Sequence, residues 1–241
     1  MIQNAPDLIS AIRNRFAHVD ACPFQGERIF FENAGGALTL KSVVETSGFY
    51  AAIPDNQGRD NVAAHALVKT INKAKADLAV FMNAGSGQFF VGESGTELLF
   101  RMIRTACVNA PKGGKVIGSS IEHPASRSAA RRWADIAGLE YVNVQHQDET
   151  GLVRPEDYAA RVTPDVAVAT IIHASPVTGM GMDVAAISKA IRAVAPDCFI
   201  IVDGIQHAAH GQLGLNSDEV DGYAVSPYKV FSRHGYGIAW I

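Results

Sequence analysis

Cys198-Phe199-Ile200-Ile201-Val202-Asp203-Gly204-Ile205-Gln206 carries five apolar residues straight into a carboxylate, with an amide three positions after it. An apolar run without alternation is buried on both faces, which marks an interior strand of a parallel sheet covered by helices. The Asp then stands at the carboxyl edge of that sheet, where open α/β folds take their ligands.

Working back from this strand, the chain alternates. Residues 184–194 have helical spacing, 166–172 read as a strand, 154–161 as a helix, 140–144 as a strand, 126–137 as a helix and 115–118 as a strand. Nearer the start, residues 6–17 and 61–81 read as helices and 88–91 as a strand that runs into Gly92-Glu93-Ser94-Gly95-Thr96-Glu97 and a further helix. Residues 28–31 read as a short strand leading into Glu32-Asn33-Ala34-Gly35-Gly36, and 222–225 and 238–241 are two more apolar runs. The pattern predicts an α/β fold with a mainly parallel sheet flanked by helices.

Composition narrows the function classes. The 241 residues are 48% hydrophobic and 19% charged, which suits one large globular domain. A formal net charge of -3 with scattered Lys and Arg argues against nucleic acid as a partner. No apolar run approaches the roughly 20 residues of a membrane span, and the first twenty residues carry charges without an apolar signal core. The reading is a cytoplasmic protein with no membrane partner. Cys22, Cys107 and Cys198 are odd in number and lack metal-type spacing, so they read as reduced side chains with no metal site.

Four groups at predicted strand ends carry chemistry. Ser94-Gly95-Thr96-Glu97 opens a helix, whose backbone N–H groups and Thr hydroxyl suit a phosphate; the same residues also read as a helix cap with Glu97 closing a capping box. Asp203 suits a protonated ring nitrogen and Gln206 a ring oxygen, while an Asp capping the next helix fits equally well. Glu122-His123-Pro124 places an imidazole able to stack on an aromatic ring and move protons, or one satisfied in a turn before Pro124. Ser226-Pro227-Tyr228-Lys229 offers an amine able to form an imine with an aldehyde, although a lone Lys is ordinarily a solvated surface residue.

Taken in order, these motifs resemble the fold type I pyridoxal phosphate (PLP) enzymes, in particular the class V aminotransferase and cysteine desulfurase group, from about Arg28 to Ile241. The resemblance implies the large domain of an aspartate aminotransferase-like PLP-dependent transferase over residues 28–241, preceded by an N-terminal helical segment over 1–27. It implies a Schiff base between PLP and Lys229, with His123 as the ring-stacking catalytic partner. Gly95, Thr96 and Ser226 would hold the phosphate, Asp203 the ring nitrogen and Gln206 the ring oxygen. Asn33, Ala34 and Gly35 would lie near the substrate. His173-Ala174-Ser175-Pro176-Val177-Thr178-Gly179 resembles the segment that passes the cofactor ring.

By the same resemblance the substrate is an amino acid, the assembly a homodimer and the activity that of a cysteine desulfurase or selenocysteine lyase. An aminotransferase or epimerase of the family, or a non-catalytic PLP-binding fragment that needs a partner chain, remain as alternatives. A nucleotide-binding α/β domain is disfavoured because no G-x-G-x-x-G opens a helix after the first strand. Pro176 stands where relatives have Asn, and Tyr228 where many have His. His207 and His210 read as structural or as supports behind the residues that touch the cofactor, and Arg233 and His234 read either as reaching the phosphate or a neighbouring subunit or as exposed loop residues. The sequence stops in an apolar strand soon after Lys229, so the C-terminal small domain of the family is expected to be missing.

Overall fold

The computed structural model describes residues 5–54 and 56–241; residues 1–4 of the expected N-terminal segment lie outside them. Two units are present, one formed by the chain up to Ala74 together with Pro227–His234, the other by Lys75–Ser226 and Gly235–Ile241.

The first unit contains α1 (Ala5–Arg13), a small hairpin of β1 (Ala21–Cys22) and β2 (Gly26–Glu27), α2 (Lys41–Ala51) and the start of α3 (Val62–Phe81). α1 ends earlier than its apolar spacing suggests, because Phe16 pairs with Leu40 in an isolated bridge and packs edge-on against Phe231 at 5.4 Å. Residues 28–31, expected as a strand, form none, although Arg28 N donates to Asp20 O at 2.9 Å beside the hairpin. Ile29 and Phe31 are 81% and 89% exposed, so no neighbouring strand takes up their apolar side chains. α2 joins α3 through a 2.9 Å hydrogen bond between the hydroxyls of Tyr50 and Thr70.

The second unit holds the seven-stranded sheet: β3 (Phe89–Gly92), β4 (Lys115–Ser119), β5 (Glu140–Val144), β6 (Val166–Ile172), β7 (Phe199–Asp203), β8 (Gly222–Val225) and β9 (Gly237–Trp240), in the order β3-β9-β8-β7-β6-β4-β5. β8, β7, β6, β4 and β5 run parallel. β9 is antiparallel to both its neighbours, β3 and β8. The mainly parallel α/β sheet read from the apolar runs is present, and the run over residues 198–202 is its central strand.

Helices α4 (Gly95–Asn109), α5 (Pro124–Ala137), α6 (Pro155–Ala159) and α7 (Val184–Arg192) connect these strands. α4 starts at Ser94, whose Oγ accepts from Glu97 N at 3.1 Å. Its Leu98, Leu99, Met102 and Ile103 pack with Ala129 and Ala130 of α5 and with Val168, Ile201, Ala224 and Ala239 of the sheet. Each such Leu or Ile contributes about 2 to 3 kcal/mol on burial. α5 ends at Gly138, which takes the left-handed φ of 70° that favours glycine. Among the described residues, no helix is long and apolar enough to cross a membrane.

Candidate cofactor site

Parallel β4, β6, β7 and β8 end on one edge of the sheet, and the turns after them carry the polar residues singled out from sequence. Asp203 closes β7 and is 4% exposed. Its Oδ2 accepts from Ser126 Oγ at 3.0 Å and its Oδ1 from Ile205 N at 3.1 Å. A buried carboxylate needs donors, and Ser126, on the first turn of α5, is one that sequence spacing did not point to. The element that follows Asp203 is a short 3-10 turn with Gln206 at its N-cap position, where a helix capped by Asp203 was the other expectation. Gln206, half-buried, precedes the short 3-10 turn His207–Ala209 without a side-chain cap to it.

β8 ends at Val225, and Ser226, 2% exposed, follows it. A Cβ built on Gly95 would stand 2.5 Å from Ser226 Oγ and would overlap Ile205 Cδ1. The space over the α4 N-terminus is thus one that only glycine leaves open, with a hydroxyl at its side. Ser94 provides the cap, and Glu97 turns to Arg101, whose Nε donates at 2.9 Å, so no reciprocal capping box forms. Thr96, the second residue of α4, is exposed.

β4 ends at Ser119, and the turn after it carries Glu122 and His123. His123 is the N-cap of α5: its Nδ1 accepts from Ala125 N at 3.1 Å. A backbone N–H can only donate, so neutral His123 carries its proton on Nε2. Beside it Glu122, 3% exposed, is a buried carboxyl that the sequence reading passed over. Burial, followed by the charge of Asp203, pushes its pKa up to about 7, against the opposing hydrogen bond from Ser119.

After β6, His173 donates its backbone N–H to Asp203 O at 2.9 Å, and its ring stacks on His207 with centroids 3.5 Å apart. His173 Nδ1 and Tyr223 OH share a 2.7 Å hydrogen bond, and Tyr223 fills the space beside Gly204, where any Cβ would overlap its ring. His207 thus has a structural contact, whereas His210 is exposed. In the following turn Ser175 Oγ accepts from Val177 N and Thr178 N, and Pro176 is half-buried.

The first unit brings together the other sequence candidates. Asn33, Ala34 and Gly35 lie exposed in a turn closed by Gly35 N donating to Glu32 O at 2.9 Å. Ala37 N donates to Tyr228 O at 2.9 Å, and Tyr228 in turn stacks on His234 at 4.3 Å. Gly36 lies so close that a Cβ there would meet the Tyr228 ring at 3.1 Å. Lys229 is half-buried in the 3-10 turn Pro227–Lys229, with Nζ 6.0 Å from the Tyr228 ring centroid. Arg233 is exposed and donates to His234 O at 2.9 Å.

The family model for Aminotransferase class-V matches residues 29–241. The chain belongs to the class V aminotransferase family. Relatives within this PLP-dependent family include the cysteine desulfurase-like protein UstD of Aspergillus flavus, 27% identical over 217 residues that cover 87% of this chain and 48% of the relative. A probable cysteine desulfurase of Mycoplasma genitalium is 25% identical over 218 residues, covering 88% of this chain and 52% of the relative. The cysteine desulfurase CsdA of Escherichia coli has the same fold, with a TM-score of 0.80 at 23% identity over 96% of this chain and 57% of that one. The chain spans about half the length of these class V relatives. Its own residues fit the family's cofactor. A phosphate suits the glycine-lined α4 N-terminus beside Ser226, and a protonated ring nitrogen suits the buried carboxylate of Asp203.

Proposed function

We propose that the chain is the cofactor-binding part of a PLP-dependent enzyme acting on an amino acid, with the activity of a cysteine desulfurase or selenocysteine lyase. The observation that carries this reading is the buried Asp203 carboxylate, held by Ser126 at the carboxyl edge of the central strand. The names of the relatives support the choice of reaction.

Bound PLP supplies an electron sink for negative charge at the substrate Cα. In the proposed reading Lys229 Nζ would hold the cofactor aldehyde and, once the substrate amine has displaced it, the freed amine would move the Cα proton, first as base and then as acid. Asp203 would keep the ring nitrogen protonated, and Gln206 would donate to the ring oxygen. Gly95, Thr96 and Ser226 would bind the phosphate, and His123 would stack on the ring with Nε2–H as its available donor. Asn33, Ala34 and Gly35 border the substrate. A homodimer is part of the proposal, supported by the exposed apolar side chains of the first unit, among them Ile29, Phe31, Phe49 and Val62.

The test is the absorbance of the purified protein with added PLP, then borohydride reduction and peptide mapping. The expected adduct lies on Lys229; no adduct, or one on another lysine, overturns the reading. Turnover of cysteine and selenocysteine, against alanine with a keto acid, separates lyase from transaminase chemistry. Retained cofactor absorbance without any turnover marks a binding fragment that needs a partner chain.

A further inference from the structure

Glu122 answers a need created by the sheet. β4 pairs with β6 only as far as Ile117 and Ala169, with a register shift near Lys115, while β6 runs on to Ile172. The backbone N–H of Ile172 is therefore left on the β4 side without a ladder acceptor, and Glu122 Oε1 accepts it at 2.9 Å. The same oxygen accepts from Ser119 Oγ at 2.9 Å.

The other oxygen differs. Among the described residues, Glu122 Oε2 is buried without a hydrogen-bond partner. Two buried hydroxyls, Thr170 Oγ1 and Tyr141 OH, flank Gly118, and among the described residues neither donates to it. An ionised carboxylate spreads its charge over both oxygens and needs donors at each. Here half of that charge would be unsolvated, with a second carboxyl, Asp203, close enough to raise the Glu122 pKa further. Among the described residues, no cation acts on Glu122. Tyr141 from β5 and Tyr158 from α6 feel its charge, and Arg127 and Arg131 of α5 act on Tyr141. His123 follows it in the chain, and His173 follows Ile172.

We propose that Glu122 is a positioning residue: as a neutral acid it ties the turn bearing His123 to the end of β6 and leaves Asp203 as the charged carboxyl at this edge. Its part toward the cofactor rests on the reading of Asp203 as the ring-nitrogen partner. Its part as a neutral tether rests on the chain alone.

A carboxyl raised in the folded state stabilises the fold fully below its unfolded value near 4.5, and that contribution is lost as pH rises through about 7. The full chain without PLP, with its glutamates isotopically labelled, is titrated by infrared difference spectroscopy and by thermal melting. The wild type is expected to show an acid carbonyl band that disappears near pH 7 and a melting temperature that falls over the same interval. Glu122→Gln keeps the acceptor and stays neutral, so it should lack both the band and the fall. With PLP bound, Glu122→Gln should hold its low-pH absorbance spectrum up to pH of about 8, whereas Glu122→Ala should lose about tenfold or more in PLP affinity.

Absence of the acid band in the wild type, or a wild-type pH midpoint retained in Glu122→Gln, overturns the proposal. Glu122→Gln binding PLP as weakly as Glu122→Ala also overturns it, because the conservative variant then fails to rescue. An acid band that titrates as expected while borohydride labels no lysine overturns the cofactor reading alone and upholds the neutral tether.

Discussion

Ser126 Oγ donates to Asp203 Oδ2 across 77 positions of sequence, joining the first turn of α5 to the end of the central strand. Both residues are buried, so the bond cannot be replaced by bulk water. Ser126→Ala is expected to cost about 1.5 to 3 kcal/mol of stability, the range for losing a hydrogen bond to a charged group. Urea unfolding checks this figure. PLP affinity should fall with it, since the carboxylate loses the donor that fixes its orientation, and a stability loss without change in affinity would separate Asp203 from the cofactor.

Gly95 offers a second test because helix propensity and packing oppose one another there. In a helix interior alanine improves on glycine by roughly 1 kcal/mol, and at the first helical position the gain has the same sign. At Gly95 the added methyl meets Ser226 Oγ and Ile205 Cδ1. Gly95→Ala is therefore expected to destabilise by about 1 to 3 kcal/mol, as overpacking does. It should also weaken PLP more than it weakens pyridoxal, which lacks the phosphate. Equal loss for both ligands in equilibrium titrations would place the phosphate elsewhere.

The inner strands were legible because they are covered on both faces and so read as nearly unbroken apolar runs; residues 166–172 and 222–225 begin and end as expected, as does the edge strand over 140–144. Strand direction leaves no such trace, and β9 lies antiparallel within a sheet that otherwise reads as parallel. α2 was missed for a physical reason. Its Val43, Val44, Thr46, Ser47 and Gly48 are weak helix formers, and none of its residues is buried to give a one-sided apolar spacing. Residues 28–31 failed in the opposite direction, since an apolar run makes a strand only where a neighbour pairs with it. At the candidate site, Asp203, Ser226 and His123 were visible because each follows a recognisable strand. Glu122 and Ser126 were not, because their partners Ile172 and Asp203 lie 50 and 77 positions away.

The stacked pair His173 and His207 predicts an acid sensitivity. Burial, then the charge of His207, lowers the His173 pKa from 6.5 to about 3. A depressed histidine stabilises the fold fully above its unfolded value near 6.5, and the contribution is lost as pH falls toward about 3. The buried ring also serves Tyr223, whose hydroxyl needs it as a partner. His173→Gln is expected to unfold at lower denaturant near neutrality, yet to show a shallower decline in stability between pH 6.5 and 3. Denaturant midpoints measured across that range decide the point, and an unchanged slope would assign the acid sensitivity to another group.

The three thiols should differ sharply in reactivity, because the thiolate is the nucleophile and its formation depends on environment. Burial pushes Cys107 up to about 11 and Cys198 up to about 12. Cys22 is half-buried, and hydrogen bonds from the backbone N–H groups of Phe24 and Gln25, aided by the charge of Arg28, lower its pKa. Brief alkylation of the native chain near pH of about 8 is expected to modify Cys22 and spare the other two, as peptide mapping would report. Under denaturant all three should react at similar rates. Since Cys107 and Cys198 are closed to solvent as well as protonated, sulfur released from cysteine should not accumulate on either as a persulfide, and mass spectrometry after incubation with cysteine tests that directly. A persulfide found on Cys198 would require β7, which also carries Asp203, to open at its start during turnover.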